Sequence, residues 1–102
     1  MAESVWKFEL PIDDVLTIDL PFGAKVLSVG QQSNKVMIWA QVNPQAPTLP
    51  STFRIAGTGH RIANPERWEF RGTAFLHDGG IVLHVFQLIP RYEPLYAKAV
   101  KP

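Results

Sequence analysis

The chain has 102 residues, which is room for one domain of ordinary size. It contains no cysteine, so disulfide bonds and thiolate metal sites are excluded. Ten basic residues stand against nine acidic ones, and the lysines and arginines are scattered singly. Because a protein that binds nucleic acid through its backbone needs a concentrated basic surface, we expect no general nucleic-acid binding.

The hydropathy pattern argues against membrane contact. Apolar runs are only a few residues long, whereas a membrane-spanning helix needs roughly 20 apolar residues. The first residues include Glu3 and Glu9 and no apolar core of the kind a signal peptide has. We therefore expect a protein that stays in the cytoplasm of the cell that makes it.

Nine prolines and seven glycines divide the chain into short segments in which apolar and polar residues alternate. No window of about 12 residues shows helical periodicity without a Pro or Gly inside it. Ser33-Asn34 and Asp78-Gly79-Gly80 are turn sequences typical of hairpins. The alternation predicts strands over 5–10, 15–20, 24–32, 35–42, 52–58, 68–77 and 81–88. The fold class is therefore all-β, a single small antiparallel sandwich or open barrel of about seven short strands.

Two segments carry further expectations. In 35–42 both faces are apolar, which predicts a central strand covered on both sides, with Trp39 mostly buried. Residues 89–102 contain three prolines and two tyrosines. We expect this C-terminal segment of the single domain 1–102 to be a tail, with Tyr92 and Tyr96 against another subunit or the domain's own edge strand.

Five short and mostly apolar stretches within residues 5–86 form a recognisable set. They are Val5–Leu10, Pro21–Val29, Met37–Val42, Gly57–His60 and Leu83–Phe86. Together they resemble a family of small phage-encoded β-domain proteins of unknown function. The resemblance implies a phage or prophage origin, and hence action in the cytoplasm of the host cell. Because the function of that family is unknown, the resemblance implies no particular activity.

Gly57-Thr58-Gly59-His60-Arg61 is the most unusual segment of the chain. Two glycines would let backbone N–H groups turn toward a phosphate, and Thr58, His60 and Arg61 add side-chain donors. No lysine follows and no helix begins here, so this is not a known nucleotide-binding fingerprint. The alternative is a strand that ends in a bulge, with glycine used for its backbone freedom.

Arginines surround this segment. Arg54 and Arg71 fall on the polar faces of their predicted strands, and Arg61 and Arg67 bracket the loop between them. If those strands are neighbours, the four guanidinium groups border one edge, with an aromatic side chain nearby. Arginine with an aromatic platform is one way in which proteins hold a nucleotide. The alternative is a solvated face on which neighbouring glutamates pair with the arginines.

The sequence offers no catalytic constellation. His77 and His84 lie on opposite arms of the last predicted hairpin, and no third ligand accompanies them, which argues against zinc. Asp13 and Asp14 are neighbours on a loop, where adjacent side chains point apart. No serine lies in a nucleophile elbow. We expect no catalytic residue, no metal and no cofactor, and therefore no enzyme.

The leading hypothesis is a non-enzymatic phage accessory protein that binds a small anionic ligand and sequesters it, a nucleotide immune signal being the candidate. The alternative is a virion-associated or protein-interaction module that forms a homo-oligomer, since several strands are apolar on both faces. A homo-oligomer is expected under either hypothesis. The predicted ligand-binding residues are Gly57, Thr58, Gly59, His60, Arg61, Arg54 and Arg71.

Overall fold

A computed structural model describes the backbone of residues 2–100 and the side chains of residues 2–96. The described chain forms seven strands and then one helix: β1 (Ser4–Leu10), β2 (Val15–Pro21), β3 (Lys25–Gln32), β4 (Lys35–Val42), β5 (Thr48–Gly57), β6 (Trp68–Leu76), β7 (Ile81–Leu88) and α1 (Glu93–Val100). Single 3-10 turns precede β6 and α1. No helix within the described residues is both long enough and apolar enough to cross a membrane.

The strands form two antiparallel sheets, a three-stranded sheet in the order β1-β4-β3 and a four-stranded sheet in the order β2-β5-β7-β6. The predicted all-β sandwich is confirmed. Because successive side chains of a strand point to opposite faces, every second residue of each strand points into the space between the sheets. The buried core consists of Leu10, Leu16, Leu20, Val36, Ile38, Phe53, Ile55, Ala74, Leu76 and Val85.

Both predicted hairpin turns are present, and the two turns touch each other. Ser33 and Asn34 both have positive φ, as a tight two-residue hairpin requires. The Asn34 side-chain Oδ1 accepts a hydrogen bond of 3.0 Å from the backbone N–H of His77, in the turn between β6 and β7. This bond joins the ends of the two hairpins, and β3 packs along β6 behind it.

The structure changes one strand boundary. The sequence predicts this strand only from residue 52, yet β5 already begins at Thr48 and pairs Pro50 with Asp19 of β2. At this point β5 has no partner on its other side, since its register with β7 begins only at Phe53. A proline without an N–H is tolerated in a strand at such an edge.

The strand β4 is central, as expected, but only one of its faces is covered by the other sheet. Val36, Ile38 and Ala40 point into the core and are buried. Trp39 lies on the opposite face and is mostly but not fully buried, with its ring across the backbone of Gly30. The expectation that Trp39 is mostly buried is therefore confirmed, although its side chain does not belong to the core between the sheets.

The C-terminal segment turns back onto the four-stranded sheet. Its helix α1 contacts β5, and the ring of Tyr96 meets the ring of Trp68 edge-on at a centroid distance of 5.5 Å. Tyr96 thus contacts the domain's own edge strand β6. The ring of Tyr92 faces the guanidinium groups of Arg67 and Arg91, at 5.4 and 5.0 Å.

Candidate functional site

The four-stranded sheet has one face on the core and another, here called the outer face, that points away from the three-stranded sheet. Arg54 of β5 is the register partner of Phe86 of β7, and Phe86 is the partner of Phe70 of β6. Residues directly opposite each other on one face have Cβ atoms about 5 Å apart. An arginine and two phenyl rings therefore form one row across three strands.

Of the two phenyl rings of this row, that of Phe70 is exposed to solvent and that of Phe86 is partly buried. Phe70 is 58% exposed, and its ring meets that of Phe86 edge-on at a centroid distance of 5.5 Å. Further along β6, Phe75 is 57% exposed and pairs with Val82. Soluble domains seldom leave neighbouring aromatic side chains uncovered without a use for them. The outer face is therefore the strongest candidate for a binding surface.

The helix α1 covers the other end of the outer face. The carboxylate of Glu93 accepts hydrogen bonds from both the backbone N–H and the hydroxyl of Thr52, and Tyr96 lies against Trp68. Trp68 is buried there, and its Nε1–H has no hydrogen-bond partner among the described residues. The open part of the face therefore begins at the row of Arg54.

The guanidinium group of Arg54 lies at the border between the covered and the open part. Its Cζ is 6.0 Å from the centroid of the Trp68 ring, and its Nη2 donates a long bond of 3.4 Å to the carbonyl of Arg61. A guanidinium has five N–H donors, so most of them have no partner among the described residues and can serve a ligand. The indole holds this cation beside the rings of Phe86 and Phe70.

In the next row of the outer face, His84 is hydrogen-bonded to side chains on both neighbouring segments of the chain. Its Nδ1 lies 2.9 Å from the hydroxyl of Thr73 on β6, and its Nε2 lies 2.8 Å from the hydroxyl of Thr58 just after β5. A threonine hydroxyl can donate or accept, so both ring nitrogens are satisfied in either protonation state. This ring fixes the start of the Gly57–Arg61 loop against the outer face.

Within the loop, His60 forms two hydrogen bonds with the backbone of Gly57. The N–H of His60 donates to the carbonyl of Gly57 at 3.0 Å, and the N–H of Gly57 donates to Nδ1 of His60 at 3.1 Å. A neutral ring that accepts at Nδ1 carries its proton on Nε2 and presents only a donor there. Gly59 makes the turn with φ +90°. His60 is therefore suited to neither metal ligation nor proton abstraction in this arrangement.

His60 lies beside a shallow pocket of about 270 Å³ that also contains Asp13 and Asp14, together with Ile12, Ile55, Gly57 and Leu83. Two carboxylates give this pocket a negative potential, which opposes an anionic ligand. Arg61 does not line it and is exposed. An anion cradle built from His60 and Arg61 together is not what the structure shows.

Arg71 lies away from Arg54. It is the extra residue of a bulge in β6, between Phe70 and Gly72. Its Nε donates a bond of 2.8 Å to Gln87, whose register partner Phe53 faces the core, and its Nη1 lies 3.8 Å from Glu69. The bulge turns this arginine to the core-facing side of the sheet.

The predicted ligand set is thus divided. Arg54 and Thr58 reach the outer face, Gly57 and His60 border the acidic pocket, and Arg71 lies on the core side. Phe70 and Phe86 were not predicted from the sequence to be surface residues. One signal could have found them, because β6 and β7 are apolar on both faces although only one face can meet the single core.

Comparison with known proteins gives one result. A family model described as a domain of unknown function (DUF7352) matches residues 1–94. No curated protein and no solved structure matches the chain significantly. The match agrees with the sequence resemblance as far as a family of unknown function, and a phage origin stays a prediction.

Proposed function

The chain belongs to the DUF7352 family, whose function is unknown, and from that premise we propose that it is a non-enzymatic protein that binds a small anionic ligand of the nucleotide class on its outer face. The observation that supports this proposal is the row of Arg54, Phe86 and Phe70. It combines a cation most of whose donors have no partner among the described residues with the solvent-exposed ring of Phe70.

Each part of a nucleotide has a matching group on this face. The guanidinium group of Arg54 offers parallel N–H donors that suit two phosphate oxygens. The exposed ring of Phe70 offers a surface on which a base stacks, an interaction worth about 1–3 kcal/mol per base. Phe86 supports that ring edge-on from the neighbouring strand. The hydroxyl of Thr58, held by His84, is a further polar contact at the phosphate end.

The proposed role is sequestration. The row of Arg54, Phe86 and Phe70 itself offers no nucleophile, although the hydroxyl of Thr58 lies 2.8 Å from Nε2 of His84, and we propose that the ligand is held and released unchanged. Together with the sequence resemblance to phage proteins, this supports an accessory protein that removes a nucleotide signal in the cytoplasm of an infected cell.

Thermal shift and calorimetry with a panel of adenosine monophosphate, ATP and a cyclic dinucleotide would test the proposal. We expect at least one of them to raise the melting temperature. Phe70→Ala and Arg54→Met should each weaken its binding at least about tenfold, the effect of losing a stacked base or a charged hydrogen bond. Arg91→Met, which removes an exposed arginine near the C-terminal helix, is the matched control and should bind as the parent does.

Two results would overturn the nucleotide proposal. One is the absence of a thermal shift with every member of the panel. The other is unchanged affinity in both Phe70→Ala and Arg54→Met, which would place the ligand elsewhere on the protein.

The second candidate is a protein-interaction module, virion-associated in the phage setting, in which the same face meets a second copy of the chain. The exposure of Phe70 and Phe75, at 58% and 57%, favours it because a self-association surface needs apolar side chains near its centre. Light scattering over a range of concentrations would then show a dimer or higher state, and Phe75→Ser would dissociate it. A monomer at every concentration would leave only the ligand proposal.

A further inference from the structure

A second cavity lies at one end of the sandwich, away from the open part of the outer face. Its volume is about 500 Å³, within the roughly 300–1,000 Å³ that small-molecule sites occupy. It forms where β2, β5 and β7 end or begin and the chain turns into α1. We call it the end pocket, and its most informative lining residues are Leu20, Phe22, Leu49, Gln87, Leu88 and Glu93.

The walls of the end pocket are apolar. Leu20 and Leu88 are buried at its base, whereas Phe22 is 66% exposed and Leu49 is 47% exposed. A ligand that covers these exposed apolar side chains would remove their surface from water. This burial contributes about 25 cal/mol per Å² to the free energy of binding. The occupant must therefore have an apolar body.

The polar groups of the pocket determine which polar head group the ligand can carry. Glu93 is the only charged residue among the described lining residues. Its two oxygens accept from the N–H and the hydroxyl of Thr52. A carboxylate has about four lone-pair positions, so acceptor capacity remains. Gln87 accepts a bond from Arg71 on its carbonyl oxygen, and its amide N–H₂ has no acceptor among the residues that the structure describes.

We propose that the end pocket binds a small molecule with an apolar body and a protonated amine that pairs with Glu93. Charge complementarity decides the class of ligand. The lining contains one carboxylate and, among described residues, no lysine, arginine or histidine, so an anionic head group would be repelled where an ammonium is attracted. The site is distinct from the proposed nucleotide surface, because Arg54, Phe70 and Phe86 do not line it.

Three probes with one apolar chain and different head groups would test this proposal: octylamine, octan-1-ol and octanoate. By calorimetry on the full chain we expect octylamine to bind at least about tenfold tighter than octanol, since its ammonium forms a charge-assisted bond, and octanoate to bind most weakly. Proton NMR contacts from octylamine to Leu49 and Ala24 would place the probe in the pocket.

Glu93→Gln is the decisive variant. Its amide oxygen can accept from the Thr52 N–H while its N–H₂ donates to the Thr52 hydroxyl, which then turns to Thr17, 2.9 Å away. The helix should stay in place, and octylamine should lose its advantage over octanol. Ala24→Phe enlarges a second lining side chain and leaves Glu93 unchanged, so it should weaken all three probes. It serves as the test if Glu93→Gln does not fold.

Equal affinity for octylamine and octanoate would overturn the proposal, as would undiminished octylamine binding in both variants. The control Arg54→Met should leave octylamine binding unchanged. Failure of the nucleotide proposal and failure of this one are therefore observed with different probes and different variants.

Discussion

A Cβ atom placed on Gly72 would lie 2.8 Å from the Cβ atom of Val29 and 3.1 Å from its Cγ2 atom. Gly72 follows the bulge of β6, and Val29 belongs to β3 in the other sheet. The two sheets of the sandwich approach each other closely at this point, and only a residue without a side chain permits the approach.

Gly72→Ala should therefore destabilise the fold by about 3 kcal/mol, at the upper end of the cost of overpacking a core, because the methyl group displaces β3 from β6. Urea denaturation would measure the loss. Gly59→Ala is the matched control, since Gly59 has φ +90° but no atom within 4 Å of the added Cβ position. It should lose only about 1 kcal/mol of backbone strain. Equal losses would mean that the sheets have room to separate at Gly72.

Asn34 has two separable roles, a left-handed backbone and the bond to His77. Asn34→Gly keeps the backbone conformation but removes the 3.0 Å bond to the His77 N–H, and we expect a loss of about 1 kcal/mol. Asn34→Ala removes the bond and also strains the turn, so it should lose about 1 kcal/mol more. Chemical denaturation of both variants gives the comparison. If they are equally stable, the turn has changed conformation.

The loop Gly57–Arg61 should depend on His84 for its order. Thr58→Val removes the hydroxyl that lies 2.8 Å from Nε2 of His84. We expect a stability loss of about 0.5–1.5 kcal/mol and faster hydrogen exchange at the amide of His60. Thr48→Val, at the exposed start of β5, is the control and should change neither. Unchanged exchange at His60 in Thr58→Val would show that the Gly57 contacts alone hold the loop.

The helix α1 should depend on Tyr96 rather than on Leu95. Tyr96→Ala removes the edge-on contact with Trp68 and should cost about 1–2 kcal/mol, while the indole N–H signal of Trp68 shifts in NMR spectra. Leu95, 59% exposed on the same helix, is the control, and Leu95→Ala should leave both quantities unchanged. A Trp68 signal that is indifferent to Tyr96→Ala would mean that Glu93 and Thr52 alone hold the helix.

Local chemistry was sufficient to predict the strands and their turns. Alternation places every second side chain on one face, and residues such as Ser33 and Asn34 adopt the left-handed conformation that a hairpin needs, so both features are visible in short windows of sequence. The same windows predicted too short a β5, because Pro50 is acceptable only where a strand lacks a partner on one side.

The sequence by itself determined the all-β class, the hairpins and the absence of cysteine chemistry, since these follow from residue identity and near-neighbour spacing. Only the tertiary structure decided which residues meet. The bulge at Arg71 turns that side chain away from Arg54, while the order β5-β7-β6 brings Arg54 beside Phe86 and Phe70. Strand order depends on contacts between segments far apart in the chain, and a single bulge reverses the face on which a side chain emerges. Neither can be obtained from local alternation.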